Sequence, residues 1–530
     1  MKKQWLISLM LLVLILVITG CSQEGSKDQS NENKVQAKEE ILEGKTIKEF
    51  SITAKKENWE LKSGKTIEAW TYNGSVPGQE IRVKEGEGVK VTIKNELPKP
   101  VSIHWHGVPL SNTQDGIPGV TQDAIETGKE YTYQFVADTP GTYWYHSHQD
   151  SVNQVDKGLY GVFIVESKDD EQYDRDYSLV LDEWESNPKQ ESEEMDGMDH
   201  SNMDMNESDT EDMEGMDHSN MDMGDKKNKD SKSSDNGSMN GMDHDMSSYD
   251  IYTINGKSYD KSKPLIAKKG EKVKLRFVNA GYMSHKIHIP LNFKVTNVDG
   301  QPVNQPIEQE NKVLEVAPGE RYDIEFIATG ETVTIDCHGE MDASKDMRIN
   351  IQAEEEAVQP VAHKKDAGMV KPDEFGKEIK GNFSLNDSFD LEYKMDLATD
   401  MDSGEMKYTI NGNTYPKTEN IKVDKGDKVK VTLTNKSMDK SDHPMHLHGH
   451  FFQVLSKNGK PVEGAPLMKD TLNVKPGETY EVAFVADNPG NWMFHCHDLH
   501  HASAGMMTMV KYNNFKPFYK DEGKVNNISE

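Results

Sequence analysis

The most informative segment of this chain lies near its end and reads His495-Cys496-His497-Asp498-Leu499-His500-His501-Ala502-Ser503-Ala504-Gly505-Met506. Because successive side chains of a β-strand point to opposite faces, His495 and His497 are predicted to face one way and Cys496 the other. Two imidazoles, one thiolate and a weakly bound thioether are the ligands of a blue-copper electron-transfer centre. The spacing therefore predicts one copper site at Cys496, completed by His501, Met506 and a more distant histidine, and a second site on the opposite face.

His-x-His pairs occur in the first and last thirds of the chain. They are His104-Trp105-His106, His146-Ser147-His148, His446-Leu447-His448 and the pair that flanks Cys496. Each pair places both imidazoles on one face of a strand. One pair alone would more often have a structural role, but four of them together are not expected by chance. We therefore expect the imidazoles to converge between these two parts of the chain, where they suit a cluster of three copper ions open to dioxygen.

An alternating strand pattern that begins with glycine and ends with asparagine recurs three times. The copies are Gly88–Asn95, Gly270–Asn279 and Gly426–Asn435, and the tight-turn signals Asn73-Gly74, Asn255-Gly256 and Asn411-Gly412 precede them. The period of two is typical of half-buried strands, and Asn-Gly is typical of hairpin turns. Repeats of roughly 170 residues are tandem domains and not a solenoid. The pattern predicts an all-β chain of three Greek-key β-sandwich domains.

Composition shifts divide the chain into segments. The predicted segments are a lipoprotein signal peptide at 1–21, a tether at 22–44, domain 1 at 45–168, domain 2 at 169–353 with an insertion at 187–248, a charged linker at 354–377, domain 3 at 378–512 and a tail at 513–530. The tail is polar, and we expect it to fray.

The net charge of −30 argues against nucleic acid as a partner. The chain has only three cysteines, so no disulfide framework is indicated. At the N-terminus, two lysines and a short apolar run precede Ile18-Thr19-Gly20-Cys21, which resembles a bacterial lipobox. We therefore predict that Cys21 is lipidated and holds the protein, outside the cytoplasm, on the outer face of a bacterial cytoplasmic membrane. The alternative is an ordinary signal peptide that happens to be followed by a cysteine.

The insertion in domain 2 is rich in methionine, histidine and aspartate and cannot build a core. Thioethers favour Cu(I), and imidazoles and carboxylates accept Cu(II), so the segment is predicted to capture copper. An acidic solubility spacer is the alternative, but a spacer has no need of methionine. The candidate ligands are Met198, His200, Met203, Met205, Met216, His218, Met221, Met223, Met242, His244 and Met246.

These motifs, together with His443-Pro444-Met445-His446, resemble those of the multicopper oxidases, a laccase-like family of three cupredoxin-like domains. The resemblance covers roughly residues 45–512 and implies four copper ions per chain. It implies a type 1 site at His443, Cys496, His501 and Met506, and a type 2 site at His104 and His446. It implies a type 3 pair at His106, His146, His148, His448, His495 and His497.

Reduction of dioxygen to water consumes protons. Asp115, in Gln114-Asp115-Gly116, matches the family's acidic residue near the oxygen site and is the candidate proton relay; an acidic turn residue is the alternative. Bacterial members often carry a second acid directly after the last type 1 histidine, where this chain has Ala502.

Several further histidines are not expected to bind copper. His363, His450 and His500 are predicted to lie in the linker, on the surface or beside the copper sites. In domain 2, His285, His288, Cys337 and His338 faintly resemble a copper centre but lack its flanking histidines and downstream spacing. They are predicted to be packing residues.

The predicted function is an oxidase that takes single electrons at the type 1 site and reduces O2 to water. The insertion and the lipid anchor favour Cu(I) as the electron donor, and hence copper tolerance. A laccase acting on phenols or other small organic donors is one alternative, and a copper-sequestering lipoprotein is an alternative of another class. A two-domain copper nitrite reductase fits less well, and no obligate protein partner is indicated.

Overall fold

A computed structural model describes residues 35–169, 172–187, 248–339, 342–354, 367–402 and 405–529. The predicted lipidation site Cys21, the candidate ligands of the insertion and His363 lie outside these residues. Within the described residues, the helices are too short and too polar to cross a bilayer.

The described part is built almost wholly from strands, which confirms the predicted all-β class. The strands are β1 Ile47–Lys62, β2 Lys65–Tyr72, β3 Gly78–Lys84, β4 Gly88–Asn95, β5 His104–His106, β6 Glu130–Val136, β7 Gly141–His146, β8 Tyr160–Glu166, β9 Arg175–Glu185, β10 Tyr249–Ile254, β11 Leu265–Ile266, β12 Lys272–Asn279, β13 His285–Val298, β14 Gln301–Pro302, β15 Glu308–Val316, β16 Arg321–Ile327, β17 Val333–Cys337, β18 Arg348–Gln352, β19 Leu391–Asp402, β20 Glu405–Ile410, β21 Ile421–Val423, β22 Lys428–Asn435, β23 His443–Leu447, β24 Phe452–Lys457, β25 Lys460–Pro461, β26 Leu467–Lys469, β27 Thr471–Val474, β28 Thr479–Val485, β29 Asn491–Cys496 and β30 Met507–Tyr512. The helices are α1 Ser151–Asp156 and α2 Leu499–Ser503, with 3-10 turns at Asn112–Gln114, Asp342–Asp346 and Pro372–Glu374.

The sheets repeat one topology along the chain. In domain 1 the sheet β2-β1-β4-β6 accompanies the sheet β3-β8-β7-β5, and in domain 3 β20-β19-β22-β28-β24-β25 accompanies β21-β30-β29-β23-β27. Domain 2 forms one continuous sheet, β10-β9-β12-β16-β13-β17-β18-β11. In all three, the first strand runs parallel to the fourth, as β1 to β4, β9 to β12 and β19 to β22. Such crossed, mostly antiparallel pairing is the Greek-key arrangement predicted above.

The three predicted repeat strands are the equivalent strands β4, β12 and β22. Each ends in a buried asparagine whose side-chain amide donates to two backbone carbonyls. In domain 3, Asn435 donates to Ser441 and Val474, both at 2.8 Å. The asparagine therefore anchors the loop that leads into His443 at the start of β23.

The Asn-Gly pairs form the predicted turns. Both residues have positive φ at all three positions, for example 52° at Asn411 and 75° at Gly412. Such turns match the twist of the strands that they join, and glycine adopts them without strain.

The tail is ordered against domain 1, so the expectation that it frays is wrong. Gln149 donates to the carbonyl of Asn526 at 3.0 Å, and its side-chain oxygen accepts from the backbone of Ile528 at 3.0 Å. The backbone of Ala124 donates to the side chain of Asn527 at 2.9 Å. Polar side chains of domain 1 thus satisfy the tail's backbone and side-chain groups, which polarity alone did not reveal.

Candidate metal centres

Neighbouring strands bring the distant motifs of domain 3 together. In the pairing of β23 with β29, Met445 lies opposite Cys496 and His446 lies opposite His495. Side chains alternate along both strands, so one face carries His443 towards Cys496 and the other carries the histidines.

The predicted type 1 residues form a buried cluster. The Cys496 sulfur lies 3.8 Å from Nδ1 of His443 and 3.6 Å from Nδ1 of His501. A metal bound at about 2.3 Å from sulfur and about 2.0 Å from nitrogen in trigonal geometry separates those atoms by about 3.7 Å. The cluster therefore fits one copper ion.

Surrounding groups orient these ligand candidates. The Ser437 hydroxyl lies 2.6 Å from Nε2 of His443, and the Asp498 carboxylate lies 3.3 Å from Nε2 of His501. Both contacts leave the Nδ1 atoms facing the sulfur. Met506 is fully buried, and its carbonyl accepts a hydrogen bond from the backbone of Cys496 at 3.0 Å. Burial lowers the pKa of both imidazoles, so they are neutral and have a lone pair to give.

The eight histidines of the four pairs converge between domains 1 and 3. Ring nitrogens of His148, His448 and His495 lie within 4.8 Å of one another, as a three-ligand site requires. The rings of His106, His146 and His497 form a second trio, with centroids 4.8–5.8 Å apart. His104 and His446 remain, with their ring centroids 5.9 Å apart. All eight are buried.

In three histidines of this cluster, one ring nitrogen contacts a backbone carbonyl and the other is left for a metal. Nδ1 of His104 and of His446 faces the carbonyls of Asp115 and Asp470, at 2.9 Å and 3.0 Å. Nδ1 of His146 faces the carbonyl of Ser147 at 2.9 Å. Within the described residues, the buried Nε2 atoms of these three histidines have no hydrogen-bond partner.

His106 is turned the other way: its Nε2 contacts the Thr471 hydroxyl at 3.2 Å, and its buried Nδ1 is left unpartnered in the described part. Unpaired nitrogens are costly to bury, so their convergence fits bound metal. Burial, reinforced by the neighbouring imidazoles, lowers the pKa of His146, His448 and His495 well below the usual value, which keeps them neutral.

The tail contributes to this cluster, which no motif predicted. Nδ1 of His148 forms a hydrogen bond with the carbonyl of Ser529. The candidate ligand His148 is therefore oriented by a residue 381 positions away in the chain.

Asp115 bridges two histidines from different domains. Its carboxylate oxygens lie 3.2 Å from Nδ1 of His104 and 3.1 Å from Nδ1 of His448, and its side chain is buried. These contacts favour the interpretation of Asp115 as a proton relay over its interpretation as an acidic turn residue. Ala502 is buried in α2 and offers no acid there.

Sequence reasoning missed a buried charge network beside His106 and His446. Arg321 donates to both carboxylate oxygens of Asp470, at 2.7 Å and 2.6 Å, and both residues are at most 1% exposed. Asp470 Oδ1 lies 3.4 Å from each histidine. Burial alone would raise the pKa of Asp470, but the charge and hydrogen bonds of Arg321 outweigh it and hold the carboxyl well below its usual range. Asp470 therefore stays ionised and orients the imidazoles.

Gly107, which follows the first His-x-His pair, makes room for this network. Its φ is +79°, and a Cβ atom there would lie 2.3 Å from the Arg321 guanidinium and 2.4 Å from the Asp470 carboxylate. The glycine after His106 could therefore have indicated that other groups approach the backbone closely at this position.

The histidines discounted from the sequence have other contacts. His450 lies 2.7 Å from the Tyr512 hydroxyl, and the ring of His500 packs on Tyr282. In domain 2, Nε2 of His285 lies 2.9 Å from the Glu183 carboxylate.

A cavity of about 1320 Å³ opens beside the Cys496 cluster and reaches His501. Its walls carry two thioethers, three carboxylates and two lysine ammonium groups. These belong to Met283, Met406, Asp439, Asp442, Asp498, Lys407 and Lys440, and His500 and Tyr408 also line the cavity. Met438, next to Asp439, is 88% exposed. Among the candidate ligands of that cluster, His501 lines this cavity, together with the thioethers and the carboxylates named above.

Comparison with known proteins places these features in context. Three family models, each described as multicopper oxidase, match residues 53–170, 214–335 and 390–516. The chain is 30% identical to multicopper oxidase MmcO of Mycobacterium tuberculosis over 461 residues, which cover 85% of this chain and 84% of that protein. It is 26% identical to copper resistance protein A of Escherichia coli, over 85% of this chain and 90% of that protein.

The fold has solved relatives. A multicopper oxidase from Campylobacter jejuni, described as a metallo-oxidase, superposes with a TM-score of 0.60 at 23% identity, over 91% of this chain and 94% of that one. This likeness shows the shared cupredoxin architecture.

Proposed function

Because this chain belongs to the multicopper oxidases, copper-dependent oxidoreductases with four copper ions of three types, we propose that it is a cuprous oxidase that protects an extracytoplasmic surface from copper. In this reaction four Cu(I) ions each lose one electron to become Cu(II), and the four electrons, with four protons, reduce one O2 to two molecules of water. The observation that carries the choice of donor is the thioether- and carboxylate-lined cavity at His501.

In this proposal the ligands divide as the family resemblance implies. The type 1 ion is held by His443, Cys496, His501 and Met506. The type 2 ion is held by His104 and His446, and the type 3 pair by His106, His146, His148, His448, His495 and His497. The Nε2 atoms of His104, His146 and His446, which have no hydrogen-bond partner within the described residues, support metal binding by these three histidines.

When bound, copper supplies one-electron redox chemistry at the Cys496 site and dioxygen binding and reduction at the cluster of eight histidines. The protein supplies the connection between them. Cys496 is the last residue of β29, between His495 and His497, so a few covalent bonds separate the thiolate from both imidazoles. The carbonyl of Cys496 also accepts from Nδ1 of His495 at 2.9 Å, which fixes that ring.

Asp115 serves as the proton relay. Its carboxylate touches imidazoles from both domains at the oxygen side of the site, and burial shields it from competing water. Asp470 does not replace the acid missing at Ala502, because Arg321 keeps it ionised. Asp470 instead fixes the orientation of His106 and His446.

Cu(I) suits the cavity for a chemical reason. Thioethers prefer Cu(I), and carboxylates accept the Cu(II) that forms on oxidation. Met406 and Asp439 lie on its wall, and Tyr408 stacks on His501 with ring centroids 3.9 Å apart. A donor ion is thus attracted to the edge of a type 1 ligand. The relative named copper resistance protein A agrees with this role.

We further propose that Cys21 carries a lipid that anchors the protein and that the methionine- and histidine-rich insertion captures copper. A Cys21→Ala variant is expected to be released from membranes, as measured by fractionation of cells. Deletion of residues 190–246 is expected to slow Cu(I) oxidation without changing phenol oxidation. Unaltered kinetics with both donors would remove the insertion from the proposal.

The main test compares donors in matched variants. Replacement of Met406 by leucine and Asp439 by asparagine is expected to raise the KM for Cu(I) and to leave that for a phenol unchanged. Equal losses with both donors, or none with Cu(I), would contradict the choice of Cu(I). Oxygen consumption measured over a range of donor concentrations serves as the readout.

The breadth of the same cavity favours a second candidate, oxidation of phenols as in laccases. Charged side chains on its wall make it a poorer fit to apolar rings. The sequestration alternative is separated by Cys496→Ser, which abolishes blue absorption and oxygen consumption in an oxidase but leaves copper storage intact.

A further inference from the structure

Cys337 occupies in domain 2 the position that Cys496 occupies in domain 3. In domain 2, Cys337 pairs with Ile287, two residues after His285. In domain 3, Cys496 pairs with Met445, two residues after His443. Because strand register sets which side chains share a face, His285 and Cys337 point together just as the type 1 candidates do.

A buried methionine completes the correspondence. It stands ten residues after the cysteine in both domains, as Met347 and Met506, and both are 0% exposed. In both, the methionine carbonyl accepts a hydrogen bond from the cysteine backbone, at 2.9 Å from Cys337 and 3.0 Å from Cys496. The loop after the strand therefore closes in the same way in the two domains.

The distances also correspond. Nδ1 of His285 lies 3.9 Å from the Cys337 sulfur, against 3.8 Å between His443 and Cys496. Both values are near the separation of about 3.7 Å that one shared metal ion produces.

A carboxylate holds His285 in the ligand orientation. Glu183 is buried and lies 2.9 Å from Nε2 of His285, and its other oxygen accepts from the backbone of Met283 at 2.8 Å. Such carboxylate–histidine pairs present the opposite ring nitrogen to a metal.

We propose that His285, Cys337 and Met347 form a further copper site that binds Cu(I). A thiolate, a thioether and a single imidazole are a soft, low-coordinate ligand set, which selects Cu(I). A second imidazole is missing from the motif, because the residue five positions after Cys337 is Asp342 and not a histidine. This site lies beyond the four ions that the family implies.

An ion at this site is not connected to the oxygen cluster. Cys337 is flanked by Asp336 and His338, whereas Cys496 is flanked by the two cluster histidines. His338 contacts Asp336 at 3.5 Å within domain 2. The site therefore stores Cu(I) and does not serve as a second point of electron entry.

The donor cavity borders residues that surround this buried site. Met283 lines that cavity, and its sulfur accepts a hydrogen bond from the Tyr252 hydroxyl at 3.0 Å. The ring of Tyr252 lies 5.9 Å from that of His285. A Cu(I) ion that enters the cavity thus meets a thioether next to the residues that hold His285.

The test titrates reduced full-length holoenzyme with Cu(I) under anaerobic conditions against a chromophoric competing chelator. Wild type is expected to bind one more Cu(I) than Cys337→Ser at saturation, and the extra ion should show sulfur ligands by X-ray absorption. Equal stoichiometry in folded samples would overturn the proposal and return these residues to a packing role. The blue absorption at Cys496 after reoxidation reports folding in each sample.

Two milder variants keep the test decisive if Cys337→Ser does not fold. Met347→Leu conserves volume and removes the thioether, and Glu183→Gln removes the charge behind His285. Each is expected to weaken the additional Cu(I) site by about 10–100-fold. Unchanged affinity in both would equally reject the site.

Discussion

The carboxylate of Asp115 in domain 1 lies 3.1 Å from Nδ1 of His448 in domain 3. One acidic group thereby joins the two halves of the oxygen-reducing cluster. This contact makes the first prediction specific to proton transfer.

Asp115→Asn keeps the shape of the side chain and removes its proton chemistry. Turnover with oxygen is expected to fall by about 100-fold, the low end of what general acid–base catalysis contributes. Anaerobic bleaching of the blue absorption by the donor should keep its rate, because electron entry does not use Asp115. Stopped-flow absorption and an oxygen electrode measure the two steps separately.

Asp115→Glu is the matched control and should retain part of the turnover. If Asp115→Asn turned over at the wild-type rate, the residue would be an acidic turn residue after all.

Truncation before Asp521 removes the carbonyl of Ser529 from His148. Loss of an outer hydrogen bond to a metal-bound histidine weakens metal affinity by about 10–100-fold. The copper content after dialysis against a chelator is expected to fall below four ions per chain, with the loss confined to the type 3 pair. Metal analysis combined with electron paramagnetic resonance measures this.

A point variant weakens the docking of the tail that carries Ser529 without shortening the chain. Asp123→Ala removes the carboxylate that accepts from Asn527 at 3.0 Å and should give a smaller loss in the same direction. Full copper retention in both variants would show that the tail has no role in holding His148.

Arg321→Leu leaves the Asp470 carboxylate buried and without its main partner. Breaking a buried ion pair from one side costs about 3–5 kcal/mol. The free energy of unfolding of the metal-free protein should fall by that amount in denaturant titrations. Arg321→Lys retains the charge but not the bidentate contact and should lose less.

The double replacement Arg321→Leu with Asp470→Leu removes both charges and should recover much of the stability lost in the single variant. It should not recover copper content, because His106 and His446 lose the carboxylate that orients them. Recovery of both quantities would mean that Asp470 has only a structural role.

Asp176 links stability to pH. Burial alone would raise its pKa, but the hydrogen bonds and charges of Arg276 and Arg82 lower it to about 2. A carboxyl whose pKa is lower in the folded than in the unfolded protein stabilises the fold above the unfolded value of about 4. That contribution disappears as the pH falls towards 2.

Asp176→Asn is therefore expected to destabilise the metal-free protein by about 2 kcal/mol at pH 7. The difference from wild type should shrink between pH 4 and pH 2, as measured by denaturant unfolding at each pH. Glu96, which forms an exposed ion pair with Lys94, provides the control. The Glu96→Gln variant should change the stability little at any pH. A difference that stays constant with pH would contradict the assignment of the shift to this ion pair.

Local patterns in the sequence determined the class of fold and the identity of the metal-binding motifs. Alternation of side chains along a strand is a local property, so it located β4, β12 and β22 and separated Cys496 from the histidines beside it. The Asn-Gly turns were predictable for the same reason, since a two-residue turn depends on two φ angles.

Only the tertiary structure determined which groups surround those motifs. Asp470, Arg321 and Ser529 lie far along the chain from the histidines that they orient, and no periodicity relates them. The pairing of His285 with Cys337 likewise depends on register between two strands of domain 2, which the short sequence likeness did not establish. A ligand type can be read from neighbouring residues, but the contacts that set its orientation and charge arise from packing between segments that are distant in the chain.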